Sequence, residues 1–335
     1  MSQCQSLVFV CVCVCVTEDK MSNLTSISMF LLKEFSDVRE LQILHFFLFL
    51  GFYLTTLAGN LLIIAVVALD HHLHKPMYFF LTNLALMDVG SVSAIIPKSM
   101  VNSIMNSRSI SYSGCVVQVF FFFFFAASDL SLLTVMAHDR FVAICHPLQY
   151  ETIMHKAACI QIIVIVWITS LLYAMLHTCG TFANTFCSNT VNQFFCEIPK
   201  LLKLSCSNIY LVEAGFILIG CFIGIGCFIF ITITYIQVFA AVRKIPSVHG
   251  KKKALSTCLP HLTVVSVLLF TGVFAYTRPP SSVSSDLDIV FSVIYTIIPP
   301  MLNPFIYSMR NKEIQTAFWK LLHLGHSSKS IFRVL

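Results

Sequence analysis

Charge is what this sequence has least of. Asp, Glu, Lys and Arg make up 11% of its 335 residues, against about 25% in an ordinary soluble domain. With 57% hydrophobic residues and a mean hydropathy of +0.85, the chain lacks the polar side chains that would cover a water-soluble globule. Also missing are the H-E-x-x-H, G-x-S-x-G and phosphate-loop patterns that place a metal, a nucleophile or a nucleotide, so no enzyme chemistry is legible. No repeat relates the two halves, as repeats do in many transporters. A transporter or channel is nevertheless the rival class, because acids inside a membrane mark ion paths. Basic runs are short. "GKKK" at 250–253 is too brief for a nucleic-acid surface, and basic loops on anionic lipid account for the net charge of +6 without nucleic acid.

What is present is apolar length. Stretches at roughly 44–69, 77–97, 114–138, 157–177, 212–240, 255–276 and 287–308 each reach the ~20 residues that cross a bilayer as a helix. Barrel strands would be about 10 residues long and alternating, which these are not. The expected fold class is an all-α membrane protein, a seven-transmembrane helix bundle. Thirteen of the 21 Lys and Arg residues fall on one side of it, including Lys75, Arg140, Lys156 and 251–253. The positive-inside rule makes that side cytoplasmic and the N-terminus extracellular, in a multi-pass protein of the plasma membrane.

The ends divide further. "LVFVCVCVCV" at 7–16 is too short to span and has no basic residue before it, so it is a poor signal peptide. Residues 1–20 read as an atypical extension ahead of Met21, 21–43 as an extracellular N-terminus, 44–308 as the bundle and 309–335 as a cytoplasmic tail. Asn23-Leu24-Thr25 is a glycosylation sequon on the outer side. Of fourteen cysteines, five fall on the oxidising side: Cys115, Cys179, Cys187, Cys196 and Cys206. At most two bridges form among five.

Asp88 and Asp129 lie mid-span. Two carboxylates in an apolar bundle must be protonated, paired or bound to a cation. Asn60, Ser128 and Asn303 add neutral oxygens, and sodium suits such a set. Two merely structural acids are the competing reading, and both stay open. A structural sodium ion is the one cofactor for which the residues leave room. Asp139 and Arg140 end the third span, where a helix C-terminus favours the arginine. On physics alone they are an ordinary interfacial anchor. "DHHLH" at 70–74 gathers three histidines, more simply a polar loop than a metal site. The six-phenylalanine run Phe120–Phe125 cannot share one helix face. Val119, Phe122, Phe123, Ala126, Ala127 and Leu130 do share one, as do Leu269, Gly272, Val273 and Tyr276 in the sixth span. Core packing is the competing reading for each.

Five motifs carry a family resemblance: "GN" at 59–60, "LHKPMYFFLTNLALMD" at 73–88, "MAHDRFVAICHPLQY" at 136–150, "KALSTCLPHL" at 253–262 and "PMLNPFIYSMRNKEI" at 300–314. In this order and on these spans they resemble the olfactory receptors, rhodopsin-like G-protein-coupled receptors. The resemblance implies a small volatile odorant bound in the outer half of the bundle. It also implies coupling to a heterotrimeric stimulatory olfactory G protein that raises cyclic AMP. It turns the two apolar faces, including Tyr276 with its hydroxyl, into pocket walls. Where receptors for amines carry a carboxylate this chain has Phe122, so the walls read as uncharged and the ligand as neutral. Asp139 and Arg140 become the switch that meets the G protein, with Asn303, Pro304 and Tyr307 as its partner on the seventh helix. Cys115 resembles the partner of Cys196, and Cys187 that of Cys206, which leaves Cys179 as an unpaired thiol. Residues 311–322 become a short amphipathic helix on the inner leaflet. The chain departs from the family at His138 and Phe141, where tyrosines are usual, and at Asp129, where glutamate is usual.

Overall fold

In a computed structural model of the chain, the residues described are 27–36, 38–206, 210–244, 247–277, 286–310 and 312–331. The extension 1–20 and the sequon at Asn23 lie outside them. Seven long helices fall on the seven apolar stretches: α1 (Arg39–Leu69), α2 (Pro76–Met105), α3 (Tyr112–Cys145), α4 (Lys156–Phe182), α5 (Tyr210–Lys244), α6 (Val248–Thr277) and α7 (Asp286–Arg310). An eighth, α8 (Lys312–Ile331), follows. Among the described residues, six helices are long and apolar enough to cross a membrane, and α6 completes the bundle. Most run several residues past their apolar stretch, because helix ends continue into the interfacial layer.

The ends follow local chemistry. Pro76 opens α2 at its first turn, where a missing N–H costs nothing. Asn106 closes it with φ of 50°, the left-handed cap that asparagine tolerates. Arg39 of α1 then donates to the Ser103 and Ile104 carbonyls at 3.0 and 2.7 Å, placing a cation on the negative end of α2. Ser111 caps α3, its Oγ accepting from the Gly114 N–H at 3.1 Å.

α3 is the central helix, packed against α2, α4, α5 and α6. One apolar core gathers at its Arg140 end around Leu132, Leu133, Met136, Tyr78 and Tyr235. Another gathers at its Cys115 end around Val119, Phe122, Phe195 and Ile198. The outward faces are apolar too. Phe222, Leu172 and Phe47 are exposed, on a scale that water would not tolerate and lipid does. Glycine matters at several helix crossings, that of α1 with α7 among them. A methyl on Gly59 would lie 2.7 Å from Cγ of Pro304, so only glycine lets α1 and α7 come this close.

The fold class is the all-α helix bundle expected, with one addition and one correction. A small sheet caps the Cys115 end. Strand β1 (Met29–Leu32) pairs antiparallel with β2 (Ser109–Ser111) and parallel with β3 (Thr190–Val191). Segments of two to four residues carry too little periodicity to announce a strand, yet at a bundle end their backbone groups need partners. And Cys179 is not the unpaired thiol expected: it is disulfide-bonded.

Candidate functional site

The disulfide end is built on α3. Cys115 bridges Cys196, with Cα atoms 5.6 Å apart, and Cys187 bridges Cys206 at 5.7 Å, the two pairings expected. Gln118, one turn below Cys115, reinforces the first bridge. It donates to the Ala94 carbonyl at 3.1 Å and accepts from the Cys196 N–H at 2.9 Å, tying α2, α3 and the connecting loop together.

Of the expected apolar face, Val119, Phe122 and Phe123 are buried, Ala127 and Leu130 half-buried, and Ala126 exposed. Phe122 lies against Phe195 of the loop and Tyr295 of α7, with ring centroids 5.7 and 6.3 Å away. Phe123 stacks on His177 of α4 at 4.8 Å. The side chains of Leu269, Gly272, Val273 and Tyr276 lie outside the described residues, although their backbone is in α6. Two buried acids lie near this face. Glu197 is buried beside Tyr295, whose hydroxyl donates to it at 2.6 Å, and Gln193 donates to its other oxygen at 3.0 Å. His177 and Glu213 form a second buried pair, 2.6 Å apart. Both acids come from loop or helix-end positions that residue spacing does not project onto α3.

Midway down the bundle, Asn303 donates to both carboxylate oxygens of Asp88, at 3.1 and 2.9 Å. Asp129 stands close enough for its charge to act on Asp88. Ser128 Oγ, Asp129 Oδ1 and Asn303 Oδ1 are buried without a hydrogen-bond partner. Those are hard oxygen donors of the kind a small cation takes. Asn60 donates its amide to the Thr56 and Pro300 carbonyls at 3.0 and 3.1 Å, and its Oδ1 is likewise buried without a hydrogen-bond partner. Among the described residues no three His, Cys, Asp or Glu side chains gather as a metal site, the "DHHLH" turn included. There, Asp70 accepts from the His72 N–H at 3.0 Å, and that bond holds its carboxyl below the usual range.

At the other end Asp139 and Arg140 are buried. The Tyr150 hydroxyl, from the one-turn helix Tyr150–Ile153, donates to Asp139 Oδ1 at 2.8 Å. Burial and the neighbouring Asp139 push the Tyr150 phenol well up, so it stays a proton donor. Arg140 lies within electrostatic reach of Tyr235, His261 and Tyr307. Tyr235 and His261 are themselves 2.9 Å apart. The Tyr307 hydroxyl is buried and unpartnered. His138 is half-buried, its ring 6.3 Å from Phe230 and 6.2 Å from Phe141. A cleft of about 620 Å³ opens here, lined by His74, Lys75, Arg140, Tyr150 and His155 among others.

Residue-by-residue reading missed Tyr150, Tyr235, His261 and Glu197. Three of the four sit inside or next to motifs already singled out: Tyr150 ends "HPLQY", His261 lies in "KALSTCLPHL", and Glu197 follows Cys196. What the motifs could not supply was the partner of each.

Comparison with known proteins agrees with these motifs. The pattern of a family described as "Olfactory receptor" matches residues 49–324. The human Olfactory receptor 14A16 is 50% identical over 303 residues, covering 90% of this chain and 98% of that protein. The human Olfactory receptor 14I1 is 49% identical over 308 residues, covering 90% and 97%. Olfactory receptor 1G1 of Gorilla gorilla gorilla is 47% identical over 301 residues, covering 90% and 96%.

Proposed function

The chain belongs to the olfactory receptor family, and from that premise we propose that it binds small neutral volatile ligands and activates a stimulatory olfactory G protein to raise cyclic AMP. It is a multi-pass membrane receptor and not an enzyme. In this reading the disulfide end is extracellular, the Arg140 end meets the G protein, and the receptor works at the plasma membrane. Lys and Arg placement supports that orientation.

One observation carries the proposal. α3 runs unbroken from Tyr112 to Cys145 and bears both the aromatic wall and the switch. Phe122 and Arg140 are separated by about 27 Å of a single helix. A ligand pressing on Phe122 or Phe123 therefore acts on a rod whose far end carries Asp139 and Arg140. Asn303, Pro304 and Tyr307 of α7 belong to the same path in this reading, because Asn303 holds Asp88 and Tyr307 lies within electrostatic reach of Arg140.

The ligand class follows from the wall. Val119, Phe122 and Phe123 offer apolar burial, and Ala127 and Leu130 continue the same apolar face. The carboxylate of Glu197 is already engaged by Tyr295 and Gln193, so it offers little to a cationic ligand. Affinity then comes from apolar contact plus one or two hydrogen bonds, and tuning is broad, since one methylene is worth only about 1–3 kcal/mol. A sodium ion at Asp88, Asp129 and Asn303 would offset one of the two carboxylate charges and stabilise the resting bundle.

The test is cyclic AMP in cells expressing the full chain with the olfactory stimulatory G protein, against a panel of neutral volatiles. Surface expression is measured in parallel. A dose-dependent rise that Arg140→Ala abolishes is the expected result. Silence at good surface expression, persisting after His138→Tyr, overturns the reading.

A further inference from the structure

The segment before α1 is the least expected part of this structure. The sequence reading treats it as a plain extracellular terminus, yet it is built into the end of the bundle. β1 is the middle strand of its sheet, between β2 and β3. Its backbone is bonded on both edges: Leu31 N–H donates to the Asn189 carbonyl and Leu32 N–H to the Arg108 carbonyl, both at 2.7 Å. Just after it, Lys33 N–H donates to the Gln193 carbonyl at 2.9 Å. Gln193 in turn donates to Ser292 of α7 and to Glu197.

Side chains follow the alternation that a half-buried strand dictates. Met29 and Leu31 point out, while Phe30 and Leu32 point in and are 0% and 3% exposed. Phe30 joins the apolar core that contains Val119 and Phe122. Phe35 continues inward, its ring 4.9 Å from Phe194. Phe194 is 4.8 Å from Phe195, and Phe195 is 5.7 Å from Phe122. Glu34 adds an ion pair to Arg108 beside β2. The segment is thus joined to Phe122 by an aromatic path that starts at Phe35, three residues past the strand, and by the loop that Cys196 anchors.

We infer that residues 28–35 are the roof of the ligand site, closing its outer mouth so that water is excluded and ligand exchange is slowed. Phe30 and Phe35 are then retention-determining residues, although they lie outside the seven spans. That a ligand lies beneath it rests on the proposed receptor reading; the packing of residues 28–35 over Val119 and Phe122 does not. A roof of this kind acts mainly on the rate at which ligand leaves.

The experiment places a cysteine under the roof, Val119→Cys, and follows its labelling from outside with a small cationic methanethiosulfonate, against the chain with native Val119. Slow labelling is expected, becoming several-fold faster in Phe30→Ala and Phe35→Ala. Met29→Ser, on the outward side of the same strand, should leave it slow. If Phe30→Ala fails to reach the surface, Phe35→Ala decides alone. Labelling that is fast from the outset, or unmoved by Phe35→Ala, overturns the roof. With an agonist in hand, the cyclic AMP response should also decay several-fold faster on washout in Phe35→Ala. Faster labelling with no responding volatile sinks the odorant reading and leaves the roof standing. Responding volatiles with unchanged labelling and washout do the reverse.

Discussion

Asn60 of α1 completes the hydrogen bonding of α7. Pro304 has no N–H, so the carbonyl of Pro300, four residues earlier, has no helical donor. Asn60 Nδ2 supplies one at 3.1 Å, across 240 residues of sequence. In a bilayer every backbone polar group needs an internal partner, which gives this side chain a physical reason to be an amide. Gly59 beside it lets the two helices meet.

Asn60→Ala leaves that carbonyl buried and unpaired. The expected loss is about 1–3 kcal/mol, read as a lower unfolding temperature of the purified receptor in nanodiscs. Adding Pro304→Ala restores the N–H at residue 304 and should recover most of the loss. Absence of any recovery in the double variant would show that Asn60 acts by another route.

Gly59→Ala puts a methyl against Pro304. Overpacking of this kind costs about 1–3 kcal/mol, so surface expression and unfolding temperature should both fall. Gly51→Ala, where nothing lies within 4 Å of the added methyl, is the control that should change neither. Equal behaviour of the two variants would count against a tight α1–α7 crossing.

Tyr150→Phe removes the donor to Asp139 and nothing else in that contact. If this bond holds the switch closed, basal cyclic AMP should rise at unchanged surface expression. The raised phenol pKa keeps Tyr150 protonated, and so a donor, from acid pH through neutrality. Unaltered basal signalling in the variant would remove Tyr150 from the switch.

Replacing sodium by N-methylglucamine tests the mid-bundle acids. The unfolding temperature of the wild-type receptor should drop, and Asp129→Asn should abolish the difference, since one fewer carboxylate binds a cation less well. A wild-type receptor indifferent to sodium would return Asp88 and Asp129 to a purely structural role.

Much of the architecture is legible in composition and period. Apolar stretches of bilayer length, few charges and punctuating prolines dictate helices that span a membrane, and α1 to α7 fall on them. The pairings Cys115–Cys196 and Cys187–Cys206 followed from the family resemblance rather than from spacing, and the mid-span positions of Asp88 and Asn303 marked a polar centre without saying which atoms meet. Tyr150 and His261 stood in plain view within the family motifs, without a readable role.

The sequence by itself determined the class, the helices and the family, because those depend on local hydrophobicity and on short patterns that each helix carries alone. Tertiary structure decided which polar groups meet: Asn60 with Pro300, Asp88 with Asn303 across 215 residues, Glu197 with Tyr295, and β1 between two loops. Contacts of that range depend on where packed helices bring their ends together. Hydrophobic period orients each helix toward the core, but it does not say which neighbour's carbonyl, carboxylate or strand edge will be waiting there.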